Sequence, residues 1–266
     1  MNTVKETTKS RIRLSHTYRH LKVEHLRQNL YLWLLILPVL ILFMFNYSSL
    51  TYMISNLVKS TLSLVIPSSN MIIRSSQFLP YFGNVSFIDL PTAPYNNQLN
   101  YITLLISIIM LAFVFTGRRK GHPVSIFVSI GLFVQIISSL FFLFASNDFP
   151  YTATIYSELY IKQQVSLWLF FFIILGVLTA LLGNGYFLYN IFFLTGIMIY
   201  SLVYGVLRYL TYLYILSEVS TIYMAALFFT FGPLFDFLYV TFFYGRYVSR
   251  IISVNETKES EDIWEW

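Results

Sequence analysis

Gly117-Arg118-Arg119-Lys120-Gly121-His122-Pro123 is a short basic loop between two runs that carry no charge, residues 101–116 and 124–145. A helix rises about 1.5 Å per residue and needs roughly 17 to 25 apolar residues to cross about 30 Å of hydrocarbon, so each run reads as a membrane span. Adjacent cations in a short loop are retained on the cytoplasmic side. Arg118, Arg119 and Lys120 therefore fix the direction of every other span.

Composition agrees with that reading. The 266 residues are 57% hydrophobic, 19% aromatic and only 11% charged, which leaves too little polar surface for a water-soluble globule. The net charge of +5 is concentrated in the amino-terminal arm and two short segments. It reads as orientation and contact with anionic lipid headgroups, and it excludes a nucleic-acid surface. The chain has no cysteine, so disulfides, thiolate nucleophiles and iron–sulfur ligation are ruled out. His16 and His20 share a helical face but lack a third ligand, and no metal site is expected. With neither a phosphate-cradling glycine loop nor an aspartate-rich magnesium motif, no cofactor is expected either.

Working outward from the loop, residues 1–28 form a basic cytoplasmic arm, and residues 30–46 form an uncleaved signal-anchor with its amino end inside. Residues 47–100 form an extracytoplasmic insert. Within it, Leu50, Met53, Ile54, Leu57, Val58, Leu64 and Val65 share one helical face, and Thr51, Ser55, Asn56, Lys59, Ser60 and Ser63 share the other. That pattern predicts an amphipathic helix lying on the outer leaflet. Four prolines follow, with strand-like runs at residues 71–78 and 85–90 and Gly83-Asn84 between them as the expected turn of a small hairpin cap. Asn147 to Pro150 has the order of a helix start, and Glu158 and Lys162 stand at the favourable four-residue spacing.

Residues 165–182 and 186–206 are antiparallel spans around a Gly183-Asn184-Gly185 turn, and residues 221–244 form the last span. Between them, Arg208, Tyr209, Tyr212, Tyr214 and Glu218 read as interfacial anchors at headgroup level. Arg246 and Arg250 belong inside, at the head of a cytoplasmic tail over residues 246–266 that turns acidic from Glu256. The expected fold is all-α: a polytopic integral membrane bundle of six transmembrane helices with an extracytoplasmic amphipathic helix and a proline-rich cap. Both termini are expected in the cytoplasm, with the bundle in a plasma or bacterial inner membrane.

Two constellations carry candidate chemistry. Asp236 is an acidic residue well inside the last span, just after Gly232-Pro233, which weakens the helix and frees a carbonyl. With Gln135 and Asn190 as partners it is either a proton relay in a carrier or a hydrogen-bonded lock between helices. On the outer face, Glu158, Ser166 and Arg208 supply an acid or base, a nucleophile and an anion-binding cation. The order of Ser166 at one helix head and Arg208 at the outer end of the returning span resembles the layout of exosortase and archaeosortase membrane transpeptidases. The resemblance implies an outer-leaflet enzyme, although that family's cysteine nucleophile and its later outer-face His or Arg have no counterpart here. The leading expectation is a non-enzymatic subunit of a membrane transport or cell-envelope (polysaccharide or protein export) assembly, with protein partners. The alternatives are the outer-leaflet enzyme and the proton-coupled carrier.

Overall fold

The computed structural model describes residues 26–67, 70–79, 83–116, 123–182 and 187–262. Six of its helices are long and apolar enough to cross a bilayer, and the chain is a multi-pass membrane protein. The basic arm up to residue 25, the loop carrying Arg118, Arg119 and Lys120, and the turn at residues 183–186 lie outside the described residues.

The first helix, α1 (Leu26–Leu62), is a single rod of 37 residues, about 55 Å long. This corrects the expectation of an amphipathic helix lying separately on the outer leaflet: residues 50–62 continue the first span without a turn. Asn46 and Ser48 do not break the helix because Asn46 Nδ2 donates to Leu42 O at 2.8 Å and Thr51 Oγ1 donates to Ser48 O at 2.9 Å. Polar side chains bonded back to their own helix need no water. The buried face also differs from the expected one. Thr51, Ile54, Ser55, Val58 and Leu62 are enclosed, whereas Met53, Leu57, Leu64 and Val65 are exposed.

The enclosed face packs on the expected hairpin. Strands β1 (Ile72–Leu79) and β2 (Gly83–Asp89) pair antiparallel, with Ile72 opposite Asp89 and Ser75 opposite Ser86. Gly83 takes φ +128, a conformation that L side chains rarely adopt, which is why glycine opens β2. Ser55 Oγ donates to Ser86 O at 2.8 Å and the Ser86 amide donates to Thr51 Oγ1 at 3.2 Å, so the helix supplies partners that one edge of a two-stranded sheet lacks. Val85, Phe87 and Ile88 enter the main core with Ile54, Val58, Tyr156 and Tyr209. Arg74 and Asp89 form an ion pair at 2.6 Å on the open side.

Beyond the hairpin, α2 (Asn97–Thr116) starts at a side-chain cap, with Asn96 Oδ1 accepting from the Gln98 and Leu99 amides at 2.9 and 3.3 Å. It returns as α3 (Pro123–Ala145). Next, α4 (Ala153–Leu182) is one helix of 30 residues, so Glu158 and Lys162 sit in the same rod as the fourth span. Thr152, rather than Asn147, caps it by accepting from the Ile155 amide at 3.3 Å.

The fifth helix, α5 (Phe187–Tyr214), passes into a π turn at Ile215–Val219 before the chain reverses at Ser220. Tyr209 and Tyr212 are core residues, not headgroup anchors, which corrects the reading of residues 207–220: the helix extends past them, so their rings face neighbouring helices. The last crossing is broken. A short α6 (Met224–Phe229), a π segment at Thr230–Leu234 and α7 (Phe235–Asp262) follow in series. Hairpin, α4 start and α5 end share one end of the bundle, while α5 start and the Arg246 region of α7 share the other.

Candidate functional site

The break in the last crossing is built by Gly232-Pro233. Proline has no N–H to give, and Gly232 takes a non-helical ψ of −114°, so the backbone there leaves the helical path. Two carbonyls are turned to a neighbour. Arg208 on α5 donates from Nη1 to Phe231 O at 2.8 Å and to Gly232 O at 2.9 Å. From Nη2 it reaches Asp236 Oδ1 at 2.8 Å, Asp236 Oδ2 at 2.7 Å and Gln164 Oε1 at 3.0 Å. Arg208 is 5% exposed and Asp236 0%, an enclosed ion pair joining α5 to α7.

The surroundings are aromatic and hydroxylated. The Arg208 guanidinium lies 5.0 Å from the Tyr204 ring centre, a cation–π contact. Tyr212 donates to Phe231 O at 2.7 Å, and Tyr160 donates to Gly205 O at 2.9 Å. Tyr239, one turn after Asp236, donates to Ser201 Oγ at 2.7 Å, and Ser201 Oγ also accepts from Trp168 Nε1 at 3.1 Å. Gly205 lets the Gln164 side chain lie flat on α5, since a Cβ there would stand 3.1 Å from its amide. Along α4, Gln164 is about 16 Å from Ala153 and about 27 Å from Leu182, beyond side-chain reach of either end.

The expected partners of Asp236 are thus replaced. Gln135 Nε2 approaches Ser139 Oγ and Ile222 O, both at 3.4 Å, and Asn190 Oδ1 accepts from Tyr247 at 2.6 Å, so each polar residue is held at its own helix contact. Neither meets the carboxylate. The second expected constellation also comes apart. Ser166 is exposed and donates to Lys162 O at 2.8 Å, Glu158 pairs with Lys162 at 2.6 Å, and Arg208 faces the opposite way, into the bundle. Helical geometry separates them: a polar group four residues from a matching partner on its own helix pairs locally. Arg246 and Arg250 are exposed and lie against the rings of Phe242 and Tyr189 at 5.4 and 5.2 Å, near the end opposite the hairpin. Among the described residues no three His, Asp or Glu side chains converge.

Sequence reasoning passed over Gln164 and Tyr204 and placed Tyr212 at the headgroups. Their signal was present as spacing: Tyr156, Tyr160, Gln164 and Trp168 recur every four residues, as do Tyr200, Tyr204, Arg208 and Tyr212. Two helices with polar and aromatic stripes of the same period suit each other as neighbours. No protein-family model, no curated protein and no solved structure matches this chain.

Proposed function

We propose that the chain is a non-enzymatic membrane subunit of a transport or cell-envelope assembly, in which the Arg208–Asp236 pair locks the bundle that presents the hairpin end to protein partners. The observation that carries this reading is the internal use of the reactive groups. The Ser166 hydroxyl is spent on its own helix, and both terminal nitrogens of Arg208 are occupied by Asp236, Gln164 and two backbone carbonyls, with Nε alone left without a partner. The hairpin end is also rigid, because α1, β2, α4 and α5 share one core there. Met53 and Leu57 on the outer part of α1, with Leu64 and Val65 in the turn just after it, stay exposed, an apolar surface suited to another protein. The orientation proposed with it puts Arg246, Arg250 and the Arg118-Arg119-Lys120 loop in the cytoplasm, against anionic headgroups of a plasma or bacterial inner membrane.

Purification in mild detergent tests the reading. A stable partner is expected to co-elute in fixed ratio and to be lost on Met53→Asp/Leu57→Asp, and elution as a clean monomer would overturn it. A second reading, a proton-coupled carrier, is favoured by the ion pair sitting at a helix break. The paired replacement Arg208→Met/Asp236→Leu separates the two, since it removes both charges together. A carrier would lose all transport, whereas a locked scaffold would keep its partner.

A further inference from the structure

The hairpin has two edges, and its pairing fixes what each one faces. Ser86, opposite Ser75, and Ile88, opposite Ile73, turn their backbone groups away from β1: the Ser86 amide and carbonyl meet Thr51 and Ser55, and the Ile88 amide meets Ser157 and Tyr209. In an antiparallel ladder such residues form the non-hydrogen-bonded pairs. Ile73, Ser75 and Gln77 therefore point their amides and carbonyls outward from the opposite edge. Among the described residues those amides meet no acceptor and those carbonyls no donor, and Ser75 and Gln77 are exposed. The inner edge is closed by side chains of α1, α4 and α5, and the outer edge is open.

An open edge is ordinarily guarded by lysine, proline or a bulge, because it is a template for another strand. Strand β1 has neither lysine nor proline, and its one charge, Arg74, is drawn aside to Asp89. Its irregularity lies between Gln77 and Leu79, so the stretch from Ile72 to Gln77 is regular. The strand is also held in place before anything binds, since β2 is anchored in the main core, which lowers the ordering cost of adding a neighbour. Hydrocarbon cannot serve as the cover, because lipid tails offer no hydrogen bonds.

A second copy does not fit either. Gly83 lies against the Tyr47 hydroxyl and Ser86 against Thr51 and Ser55, so β2, and β1 with it, runs alongside α1 in the direction in which the chain crosses the bilayer. Antiparallel pairing of two β1 edges would set the copies head to foot across the membrane. Parallel pairing needs the outward amides offset by one residue, whereas a twofold along the bilayer normal places them at one height.

We propose that the outer edge of β1 takes up an extended segment of a different protein as a third strand. This rests on the partner reading above and names how the partner is held, by main-chain bonds to Ile73, Ser75 and Gln77. The segment that fits is about five residues long, free of proline, apolar beside Ile72 and polar beside Ser75 and Gln77.

The test compares the full chain bound to its co-eluting partner with the chain alone, both in nanodiscs, by amide hydrogen exchange resolved to single residues with electron-transfer fragmentation. The amides of Ile73, Ser75 and Gln77 are expected to slow at least about five-fold in the complex, the factor that one added hydrogen bond supplies. Ser75→Pro removes an outward donor that the hairpin itself does not use, and is expected to weaken partner binding at least about five-fold, with Ser75→Ala within about two-fold of the unaltered chain. If Ser75→Pro aggregates, exchange in the unaltered complex decides alone. Retention of the partner with those three amides exchanging as fast as in the chain alone would overturn this inference and leave the partner reading standing, as would a Ser75→Pro chain that binds as tightly as the unaltered one. A homodimer whose second copy covers the edge would also overturn it, and a clean monomer would remove the partner reading with it.

Discussion

Asp236→Ala leaves Arg208 enclosed without its counter-charge, and a guanidinium cannot shed its proton to escape the cost. Breaking a buried pair from one side costs about 3 to 5 kcal/mol. Three neutral acceptors survive around Arg208, namely Gln164 Oε1 and the carbonyls of Phe231 and Gly232, so the lower figure, about 3 kcal/mol, applies. Arg208→Met is milder, about 2 kcal/mol, because a carboxyl can take up a proton and because Phe231 O still accepts from Tyr212. The double variant Arg208→Met/Asp236→Leu removes both charges and leaves Gln164 Oε1 short of a donor, since Phe231 O keeps Tyr212 and Gly232 O keeps the Phe235 amide, a cost of about 1 to 2 kcal/mol. At about 2 to 4 °C per kcal/mol for a chain of this size, the midpoint falls by about 6 to 12 °C for Asp236→Ala. The same conversion gives about 4 to 8 °C for Arg208→Met and about 2 to 8 °C for the double variant. Fluorescence-detected size exclusion after heating reads all three in one detergent. A midpoint for Asp236→Ala within about 2 °C of the unaltered chain would refute the reasoning, as would a double variant whose loss equals the sum of the singles.

Three further outcomes follow from other parts of the fold. Tyr209→Phe removes a hydroxyl that lies 3.1 Å from the Ile88 amide and 2.6 Å from Ser157 Oγ; Ser157 still serves that amide at 3.1 Å, so the loss is about 1 kcal/mol. Hydrogen exchange at Ile88 should quicken while α7 is unchanged, and uniform acceleration would count against local docking of the hairpin. Ser166→Ala is expected to change stability by less than about 0.5 kcal/mol and to leave every cellular phenotype intact, since it cuts one exposed bond to its own helix; loss of function with normal protein level would restore the enzyme reading. Because the chain has no cysteine, Gly121→Cys and Ser75→Cys report topology cleanly. An impermeant thiol reagent on intact cells should label Ser75→Cys and spare Gly121→Cys, and the reverse pattern would invert the proposed orientation.

The parts of the fold legible in the sequence were those decided within a few residues. Six apolar runs of spanning length announced six crossings, and two strand-like runs announced a hairpin, although Gly83 and Asn84, expected as its turn, are strand residues paired with Leu79 and Gln77. Illegible were the parts decided by a partner far along the chain. Thr51 and Ser55 form a polar face, which reads as a face for water; their actual partner is Ser86, more than thirty residues away, which satisfies both hydroxyls and lets the helix stand upright in the bundle. Local amphipathicity cannot tell water from a buried strand edge, since both offer hydrogen bonds.

The same blindness separated Arg208 from Asp236. Weighed one at a time against lipid, an arginine is placed at the headgroups and an aspartate is expected to find a neutral polar partner, because either charge alone in hydrocarbon costs about 2.5 to 3.5 kcal/mol. Weighed together, each cancels the penalty of the other, and both settle in the middle of the bundle. Pairing alone does not explain why the arginine is tolerated there, since the carboxylate takes only one of its terminal nitrogens. Gly232-Pro233 completes the account. The residues that break the last crossing turn out the two carbonyls that the other terminal nitrogen needs, so the helix break and the buried cation are two halves of one feature. It follows that Pro233→Ala, which lets the helix close and reclaim those carbonyls, should destabilise the chain despite restoring a better helix former. A chain made more stable by that replacement would show that the break exists for some purpose other than holding Arg208.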